Sequence, residues 1–456
     1  MACKSANSLA GAAGDSSSLS SSYLSTSNSS SSLPLGKAIK LDSGKEKSAR
    51  QLVALPKILV LGAGQESIPF LDLLAEQGLQ VVCLDREPNL PLAYLEQHRD
   101  SLTCIKQDFS DMAKVQEIIA KEHISHTLAL PVGRALTALG CINDEYGFAG
   151  PSLAAIDIMT DKFKFHQFMQ EHHLHDSIYL CLPNGRPSTL QQHLDSIEYE
   201  VGFPLVIKPV YGSGSAGVRL VSSTEELLSY QVPERFNDSP VLIEQYLIGR
   251  EYSCNLFVDS SGTCHYLGVF LKEISPAPFR QEVAYFIDDV STVVETIKPL
   301  YHELVQRLKL RNCFINADTI ITAAGVPYIL DIAPRLGGNN LIKLLQQDGI
   351  NPIAIFKQAV LTKQTLQVPS NQQRVVLRFF NFAHTITYHQ PINLASLFSE
   401  VELSHIVSYQ NNLVVAESYG AMTSGRDIAR GHIMVQHETI AQAEALAQRL
   451  LQALGR

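Results

Sequence analysis

The first residues that suggest chemistry are a lysine and the glycine-rich loop that follows it. Lys208 ends an apolar, strand-like run, and the loop after it contains Gly212, Ser213, Gly214, Ser215, Ala216 and Gly217. Backbone amides of such a loop can surround polyphosphate oxygens while the lysine supplies a fixed positive charge. The loop is not of the Walker type, because its lysine precedes the glycines. The pattern predicts a phosphate site, with an ordinary hairpin loop as the alternative.

Residues on either side of this loop extend the pattern to a nucleotide and a metal ion. Lys162 lies upstream at the start of a predicted helix, and the segment 241–253 contains a predicted strand edge whose main chain can bond adenine. Asp318 and Asp331 lie on two apolar strands joined by a turn. Such strands can bring two carboxylates to one Mg²⁺, which prefers oxygen ligands. Solvent exposure of both acids is the alternative, because their orientation depends on strand register.

A second glycine turn, Gly62–Gly64, follows the first predicted strand, and Asp85 ends the next strand. This spacing imitates a dinucleotide-binding fingerprint. However, Ser67 stands where that fingerprint has its third glycine, which allows helix and strand to pack closely. We interpret the turn as mainly structural, with nicotinamide binding as an alternative.

The elements that would position these residues fall into two classes. Apolar runs alternate with helical periodicity from residue 57 to about 150, which predicts an α/β sheet with right-handed crossovers. Strand-rich sequence interrupted by helices follows, which predicts an α+β region. We divide the chain into a leader at 1–55, an α/β domain at 56–150, an α+β domain at 151–365 and a C-terminal segment at 366–456.

Composition limits the setting and the partners. Half of the residues from Ser5 to Ser32 are serine, so we expect a disordered leader, with a transit peptide as the alternative. The net charge of −9 argues against nucleic acid and anionic membrane as partners. The 8 cysteines form no CxxC motif, and we therefore expect a reduced, cytoplasmic location.

Taken in order, these residues resemble the ATP-grasp superfamily. The likeness rests on Lys162, on Lys208-Pro209 with its glycine loop, on Glu244 and Glu251, and on the later Asp318, Asp331 and Arg335. It covers about residues 57–365 and continues more weakly to the end. The carboxylate–amine ligase branch is the most similar, including L-amino-acid ligases and formate-dependent purine-biosynthetic ligases. The resemblance implies a pre-ATP-grasp α/β domain, a two-lobed ATP-grasp domain that grips ATP between its lobes, and a small C-terminal α+β segment.

The resemblance also implies a role for each matching residue. Lys162 and Lys208 would contact the ATP phosphates, and residues 212–217 would form a lid. The adenine pocket would include Glu244, Gln245, Tyr246 and Leu247, and Glu251 would bind the ribose. Asp318 and Asp331 would hold Mg²⁺, with Mn²⁺ as a substitute, and Arg335 would steady the transferred phosphoryl group or the acyl phosphate.

Two positions depart from the family pattern. The second metal ligand is usually glutamate, and here it is the shorter Asp331. Two residues later many members carry an asparagine, whereas this chain has Ala333. We therefore expect a weaker or displaced metal, with Asn339 or Asn340 as substitute ligands. Elsewhere, Lys272, Arg280 and Tyr285 fall in a predicted loop, where a basic residue would recruit an acceptor carboxylate or simply be exposed.

The resemblance implies an ADP-forming carboxylate–amine or carboxylate–thiol ligase that acts through an acyl phosphate. Its partners would be small carboxylates, such as an amino acid, and small amines. The alternatives are a non-catalytic ATP-binding regulatory protein of the same fold and a purine-biosynthetic ligase. The oligomeric state stays open, although ligases of this kind are often homodimers.

Overall fold

The computed structural model describes residues 56–131, 135–369 and 373–455. The leader predicted for residues 1–55 lies outside the described residues. From residue 55 onward the chain forms one compact unit, and the predicted division of that unit into three parts stays a prediction. Within the described ranges, no helix combines the length and the apolar character that crossing a membrane requires.

The N-terminal part is a four-stranded parallel sheet covered by helices. Its strands are β1 Lys57–Leu61, β2 Gln80–Asp85, β3 Leu102–Lys106 and β4 Ile124–Ala129, and their order is β3-β2-β1-β4. The helices are α1 Ile68–Glu76, α2 Leu92–Gln97, α3 Met112–Glu122 and α4 Leu136–Tyr146. β1 and β2 are buried almost throughout, as expected of central parallel strands with helices on both faces. This confirms the predicted α/β sheet.

The glycine turn after β1 is held by the end of β2. Asp85 accepts hydrogen bonds from the amide of Ala63 at 2.9 Å and from the amide of Glu87 at 3.0 Å. Gly62 has a φ of +119°, and a Cβ there would lie 2.5 Å from Leu130 Cδ1. The turn therefore needs glycine for its conformation and packing, which supports the structural interpretation.

A small antiparallel sheet follows two helices, α5 Leu153–Thr160 and α6 Lys162–Glu171. Its strands are β5 Tyr179–Leu182, β6 Leu205–Pro209, β7 Arg219–Val221 and β8 Val241–Gln245, in the order β5-β8-β6-β7. The short helices of this lobe are α7 Pro187–Gln192, α8 Leu194–Ser196 and α9 Thr224–Leu228. Leu205 and Ile207 pack into the core beneath α7 and α9. Because side chains alternate along a strand, Val206 and Lys208 point to the opposite face.

A large antiparallel sheet forms the rest of the chain. The remaining strands of the described residues are β9 Gly249–Val258, β10 Cys264–Ile274, β11 Glu282–Ile287, β12 Cys313–Thr322, β13 Pro327–Ala333, β14 Val375–Phe379, β15 Ile386–Thr387, β16 Ile406–Asn411, β17 Ser418–Tyr419 and β18 Gly431–Gln436. Eight of them pair in the order β13-β12-β9-β10-β11-β14-β18-β16, while β15 and β17 pair separately. The sheet runs across the predicted boundary at residue 365, since β14, β16 and β18 extend it.

Helices cover both faces of this sheet. They are α10 Ser291–Arg307, α11 Leu341–Gln347, α12 Pro352–Phe356, α13 Leu394–Leu397, α14 Glu400–Ser404 and α15 Ile440–Leu454. Tyr252 and Cys254 on β9 pack against α10, so the alternating residues Glu251, Ser253 and Asn255 face away from that core. Antiparallel sheets after a parallel α/β layer confirm the predicted mixed fold class.

Candidate functional site

A cleft lies between the small sheet and strands β9 to β13 of the large sheet. Most residues of the predicted site line it, namely Lys162, Lys208, Gly212, Ser213, Ser215, Ala216, Glu244, Gln245, Tyr246, Leu247, Glu251, Asp318 and Asp331. Gly214, Gly217 and Arg335 are not among the lining residues. The cleft is therefore where residues distant in sequence come together.

Lys208 is held at the floor of the cleft by an ion pair. Its Nζ lies 2.6 Å from Glu244 Oε1 and donates to the Leu330 carbonyl oxygen at 3.2 Å. Only 5% of Lys208 is exposed. Burial alone would raise the pKa of Glu244, but the charge of Lys208 and the contact with His166 lower it to about 2. The Glu244 carboxylate is therefore ionised, and its contact with Lys208 gives the lysine a defined position.

His166 contacts the other carboxylate oxygen of Glu244, and no role was predicted for it from the sequence. Its Nε2 lies 2.9 Å from Glu244 Oε2, and its Nδ1 lies 3.0 Å from Ser177 Oγ. His166 is four residues after Lys162 on α6, which places both on one face of the helix. That spacing was the available signal, although it does not reveal the partner on β8.

Lys162 joins the loop and the acids. It is the first residue of α6, which Asp161 caps by accepting from the Lys164 amide. Lys162 Nζ donates to the Gly212 carbonyl oxygen at 3.1 Å and lies 3.4 Å from Asp331 Oδ1. A predicted phosphate ligand, the predicted lid and a predicted metal ligand therefore meet at one point.

The predicted lid loop, residues 212–217, contacts the C-terminal part of the chain. Gly214 has a φ of +64°, and its carbonyl oxygen accepts from the Gly425 amide at 3.0 Å. Gly217 has a φ of +80°, and its carbonyl oxygen accepts from the Tyr230 hydroxyl at 2.7 Å. Gln281 Nε2 bridges the Ser215 and Thr423 carbonyl oxygens at 3.4 and 3.5 Å. These contacts hold the loop over the cleft in the conformation observed.

Glu251 lies in the predicted ribose position and is paired with cations. Arg280 bonds to Glu251 Oε1, and the same guanidinium lies over the Tyr246 ring at 5.4 Å from its centroid. Lys272 Nζ lies 4.0 Å from Glu251 Oε2. The amides of Gln245 and Tyr246 donate to the carbonyl oxygens of residues 178 and 204. These two amides are therefore engaged within the small lobe.

Asp318 and Asp331 face each other across neighbouring strands. They are direct partners in the β12–β13 register, so their side chains lie on the same face. Burial raises the pKa of Asp318 to about 6, against the lowering effect of the Lys272 charge. Two adjacent carboxylates open to the cleft fit Mg²⁺, which commonly combines one or two carboxylates with phosphate oxygens. In the described part of the chain, no group of three or more His, Cys, Asp or Glu is arranged as a metal site.

Ala333 has an asparagine side chain near it on the adjacent strand. Asn316 lies opposite Ala333 in the β12–β13 register, and its Nδ2 donates to Ser253 Oγ and Asn255 Oδ1, each at 3.2 Å. Of the substitutes expected from the sequence, Asn339 is bonded to Tyr285, and Asn340 has a φ of +62° at the start of α11. Asn316, which was not among the substitute ligands expected from the sequence, therefore lies directly opposite Ala333.

Arg335 follows β13 and is largely enclosed. Its Nη1 donates to the Leu336 carbonyl oxygen at 2.8 Å, and its Nε has no partner among the described residues. Burial lowers its pKa, while the charges of Asp331 and Asp318 oppose that effect. The guanidinium thus lies in the field of both acids, beside the cleft rather than in its lining.

The structure corrects the predicted positions of Lys272 and Tyr285. Both were expected in a loop, but Lys272 lies on β10 and Tyr285 on β11, and both are buried. The prediction was wrong because β10 extends to Ile274 and pairs with β11, leaving only residues 275–281 between them. Arg280 does lie in that connection. Lys272, predicted only as a loop residue that would recruit an acceptor carboxylate, and the neighbouring Glu282, for which no role was predicted, both line the cleft.

Comparisons with known proteins match residues 201–342 to the ATP-grasp domain. The carbamoyl phosphate synthase large chain of Thermoanaerobacter pseudethanolicus is 22% identical over 313 residues, covering 64% of this chain and 28% of that protein. This chain therefore spans less than a third of the length of that relative.

Two solved structures resemble the whole fold. The L-amino acid ligase of Bacillus licheniformis has a TM-score of 0.68 at 17% identity, covering 87% of this chain and 97% of that one. The carboxyaminoimidazole ribonucleotide synthase of Aspergillus clavatus, solved in complex with ATP, has a TM-score of 0.64 at 17% identity, covering 88% and 98%. At these identities the likeness establishes the fold.

Proposed function

Because this chain belongs to the ATP-grasp superfamily, we propose that it is an ADP-forming ligase that joins a small carboxylate to an amine through an acyl phosphate. The observation that carries the proposal is the convergence of Lys162, Lys208, Asp318 and Asp331 on one cleft beneath a glycine loop. Cations for phosphates and acids for a metal are the groups that phosphoryl transfer requires. The fold shared with an L-amino acid ligase supports the same class of reaction.

ATP would lie along the cleft with its base at the β8–β9 connection. Lys208 would bind phosphate oxygens while Glu244 keeps its ammonium in place, so little ordering remains to be done when ATP arrives. Lys162 would bind further phosphate oxygens and tie them to the lid through Gly212. The ribose hydroxyls would donate to Glu251, sharing its carboxylate with Arg280.

Transfer would begin when a substrate carboxylate oxygen attacks the γ-phosphorus. The bond between the γ-phosphorus and the bridging oxygen breaks, ADP leaves, and an acyl phosphate remains. Mg²⁺ held by Asp318 and Asp331 would neutralise charge on the phosphate oxygens. Arg335 would add a guanidinium near the same acids, and the closed lid would exclude water from the acyl phosphate. An amine then attacks the acyl carbon, releasing phosphate and a proton.

A second candidate is a nucleotide-binding protein without ligase activity. Ala333 favours it, because the chain lacks the asparagine that many family members place there. The two candidates differ in one observable, the formation of ADP. A purine-biosynthetic ligase is a third candidate, which differs from the first in the identity of its carboxylate and its amine.

The test is a phosphate- and ADP-release screen over amino acids, formate and purine intermediates, offered singly and in pairs. We expect carboxylate-dependent ADP release that Lys208→Ala abolishes and that Lys298→Ala, on the exposed face of α10, preserves. Unaltered turnover in Lys208→Ala would contradict the assignment of Lys208 to the site. MgATP binding with no ADP formed over the whole panel would favour the second candidate.

A further inference from the structure

Lys272 is a buried cation among the acids of the cleft. It is 8% exposed, and its Nζ lies 3.0 Å from Asp318 Oδ1 and 3.1 Å from Glu282 Oε1. A third carboxylate, that of Glu251, lies at 4.0 Å. All three acids line the same cleft. The ammonium therefore occupies the space between carboxylates that a divalent ion would otherwise share.

The position of Lys272 is defined by two short ion pairs. Its ammonium lies within hydrogen-bond distance of both Asp318 and Glu282. Sheet order enforces the arrangement, because β9 lies between β12 and β10, and β11 follows β10. Lys272 and Glu282 are thus fixed by neighbouring strands and do not depend on a flexible loop.

Counting charges shows what remains for metal ions. The acids that line this end of the cleft are Glu251, Glu282, Asp318 and Asp331. The cations that contact these acids or lie in their field are Lys162, Lys272, Arg280 and Arg335. The two sets balance before any ligand binds. Added positive charge is then needed only to match the nucleotide phosphates.

The ligand set points the same way. Two-metal phosphoryl-transfer sites hold ions about 3.5–4 Å apart and bridge them with shared carboxylates. Here Asp318 already shares an oxygen with Lys272, and Ala333 offers no side-chain oxygen. Asp331, whose side chain is 46% exposed, is the acid most open to an ion that arrives with the nucleotide.

We propose that Lys272 is a built-in cation that takes the place of a second divalent ion, so that the chain binds one metal ion with each nucleotide. Its ammonium would stay between Asp318 and Glu282, while the single ion would be held by Asp331 together with Asp318, as in the proposed function. The inference rests on the proposed function, since it requires a nucleoside triphosphate in this cleft.

Manganese provides the test, because Mn²⁺ can replace Mg²⁺ at oxygen sites and is visible by electron paramagnetic resonance. The purified chain is equilibrated with Mn²⁺ and the non-hydrolysable β,γ-imido analogue of ATP, and bound metal and bound nucleotide are counted by dialysis. We expect a ratio of one Mn²⁺ to one nucleotide in the native chain. A ratio of two, with the exchange-coupled spectrum of a manganese pair, would overturn the inference.

A charge-removing variant gives the converse result. Lys272→Met keeps the length of the side chain but frees the carboxylates of Asp318 and Glu282, so the ratio should rise to two. The double variant Lys272→Met/Glu282→Gln should return it to one. Lys298→Met, on exposed α10, is the matched control and should stay at one. If Lys272→Met folds and still binds one Mn²⁺, the inference fails.

The native ratio decides the question even if Lys272→Met does not fold. Nucleotide binding is measured in the same samples, so failure of the two proposals can be told apart. A chain that binds nucleotide with two Mn²⁺ contradicts only the role of Lys272. A chain that binds no nucleotide contradicts the proposed function, and this inference with it.

Discussion

Removing the charge of Lys208 should destabilise the empty protein, before any effect on catalysis. Lys208→Met would leave the buried Glu244 carboxylate with only His166 as a close partner. Breaking a buried ion pair from one side costs about 3–5 kcal/mol. The lowering of the Glu244 pKa from 4.5 to about 2, to which Lys208 and His166 both contribute, corresponds to roughly 3 kcal/mol of stability near neutral pH, which is of the same order.

The sign of the pH dependence follows from that pKa. A carboxyl with a lowered pKa stabilises the folded state above its unfolded value, and the contribution is lost as pH falls through the folded value. The contribution of Glu244 is therefore complete above pH 4.5 and disappears toward pH 2. Without Lys208, burial raises the pKa of Glu244, so the stability difference between native chain and Lys208→Met should be largest at pH 7 and should shrink as the pH is lowered toward 2.

Equilibrium urea unfolding at pH 7 and at pH 4 measures both quantities. Lys208→Met/Glu244→Gln removes the unpaired charge and should recover about 2 kcal/mol relative to the single variant. The exposed pair Lys298–Glu295 is the matched control, and Lys298→Met should change stability by less than about 1 kcal/mol. A loss below about 1 kcal/mol for Lys208→Met, or one that is the same at both pH values, would refute the reasoning.

Three further variants probe the lid and the metal side of the cleft. A Cβ at Gly425 would lie 2.9 Å from the Gly214 carbonyl oxygen, so Gly425→Val should displace the predicted lid and raise KM for ATP about tenfold, equivalent to ~1.4 kcal/mol. The control Gly420→Val, whose Cβ meets nothing closer than 3.4 Å, should leave KM unchanged. Equal KM values for the two variants would exclude this contact from lid closure. Ala333→Asn should restore an amide oxygen and lower the Mg²⁺ concentration for half-maximal ADP release several-fold, and an unchanged or higher requirement would count against a metal at this edge. Asp331→Asn should reduce ADP release by about 100-fold or more through loss of a charged metal ligand, and activity within threefold of the native chain would exclude Asp331 from that role.

The order of elements and part of the site could be predicted from the sequence. Lys208 ends an apolar strand, and strand alternation directs it away from the core beneath α7 and α9. Asp318 and Asp331 are brought opposite each other because a short turn fixes the register of β12 and β13. Strand alternation and turn length are local patterns, so these features can be predicted from a single sequence.

The residues that were missed depend on which strands become neighbours. Lys272 reaches Asp318 only because β9 lies between β10 and β12, an order that no local pattern specifies. His166 on α6 reaches Glu244 on β8 across 78 positions of the sequence, which is likewise a tertiary arrangement. The boundary placed at residue 365 did not anticipate that β14, β16 and β18 would extend the large sheet. Long-range pairing decided each of these outcomes.

The central claim, that ATP binds in the cleft above Lys208, is tested most directly by titration calorimetry with MgATP. We expect one nucleotide per native chain, with affinity reduced at least about tenfold by Lys208→Ala, equivalent to ~1.4 kcal/mol, and unchanged by Lys298→Ala. Loss of one charge-assisted phosphate contact accounts for a change of this size. Binding of equal affinity in all three proteins, or no binding by the native chain, would contradict the claim.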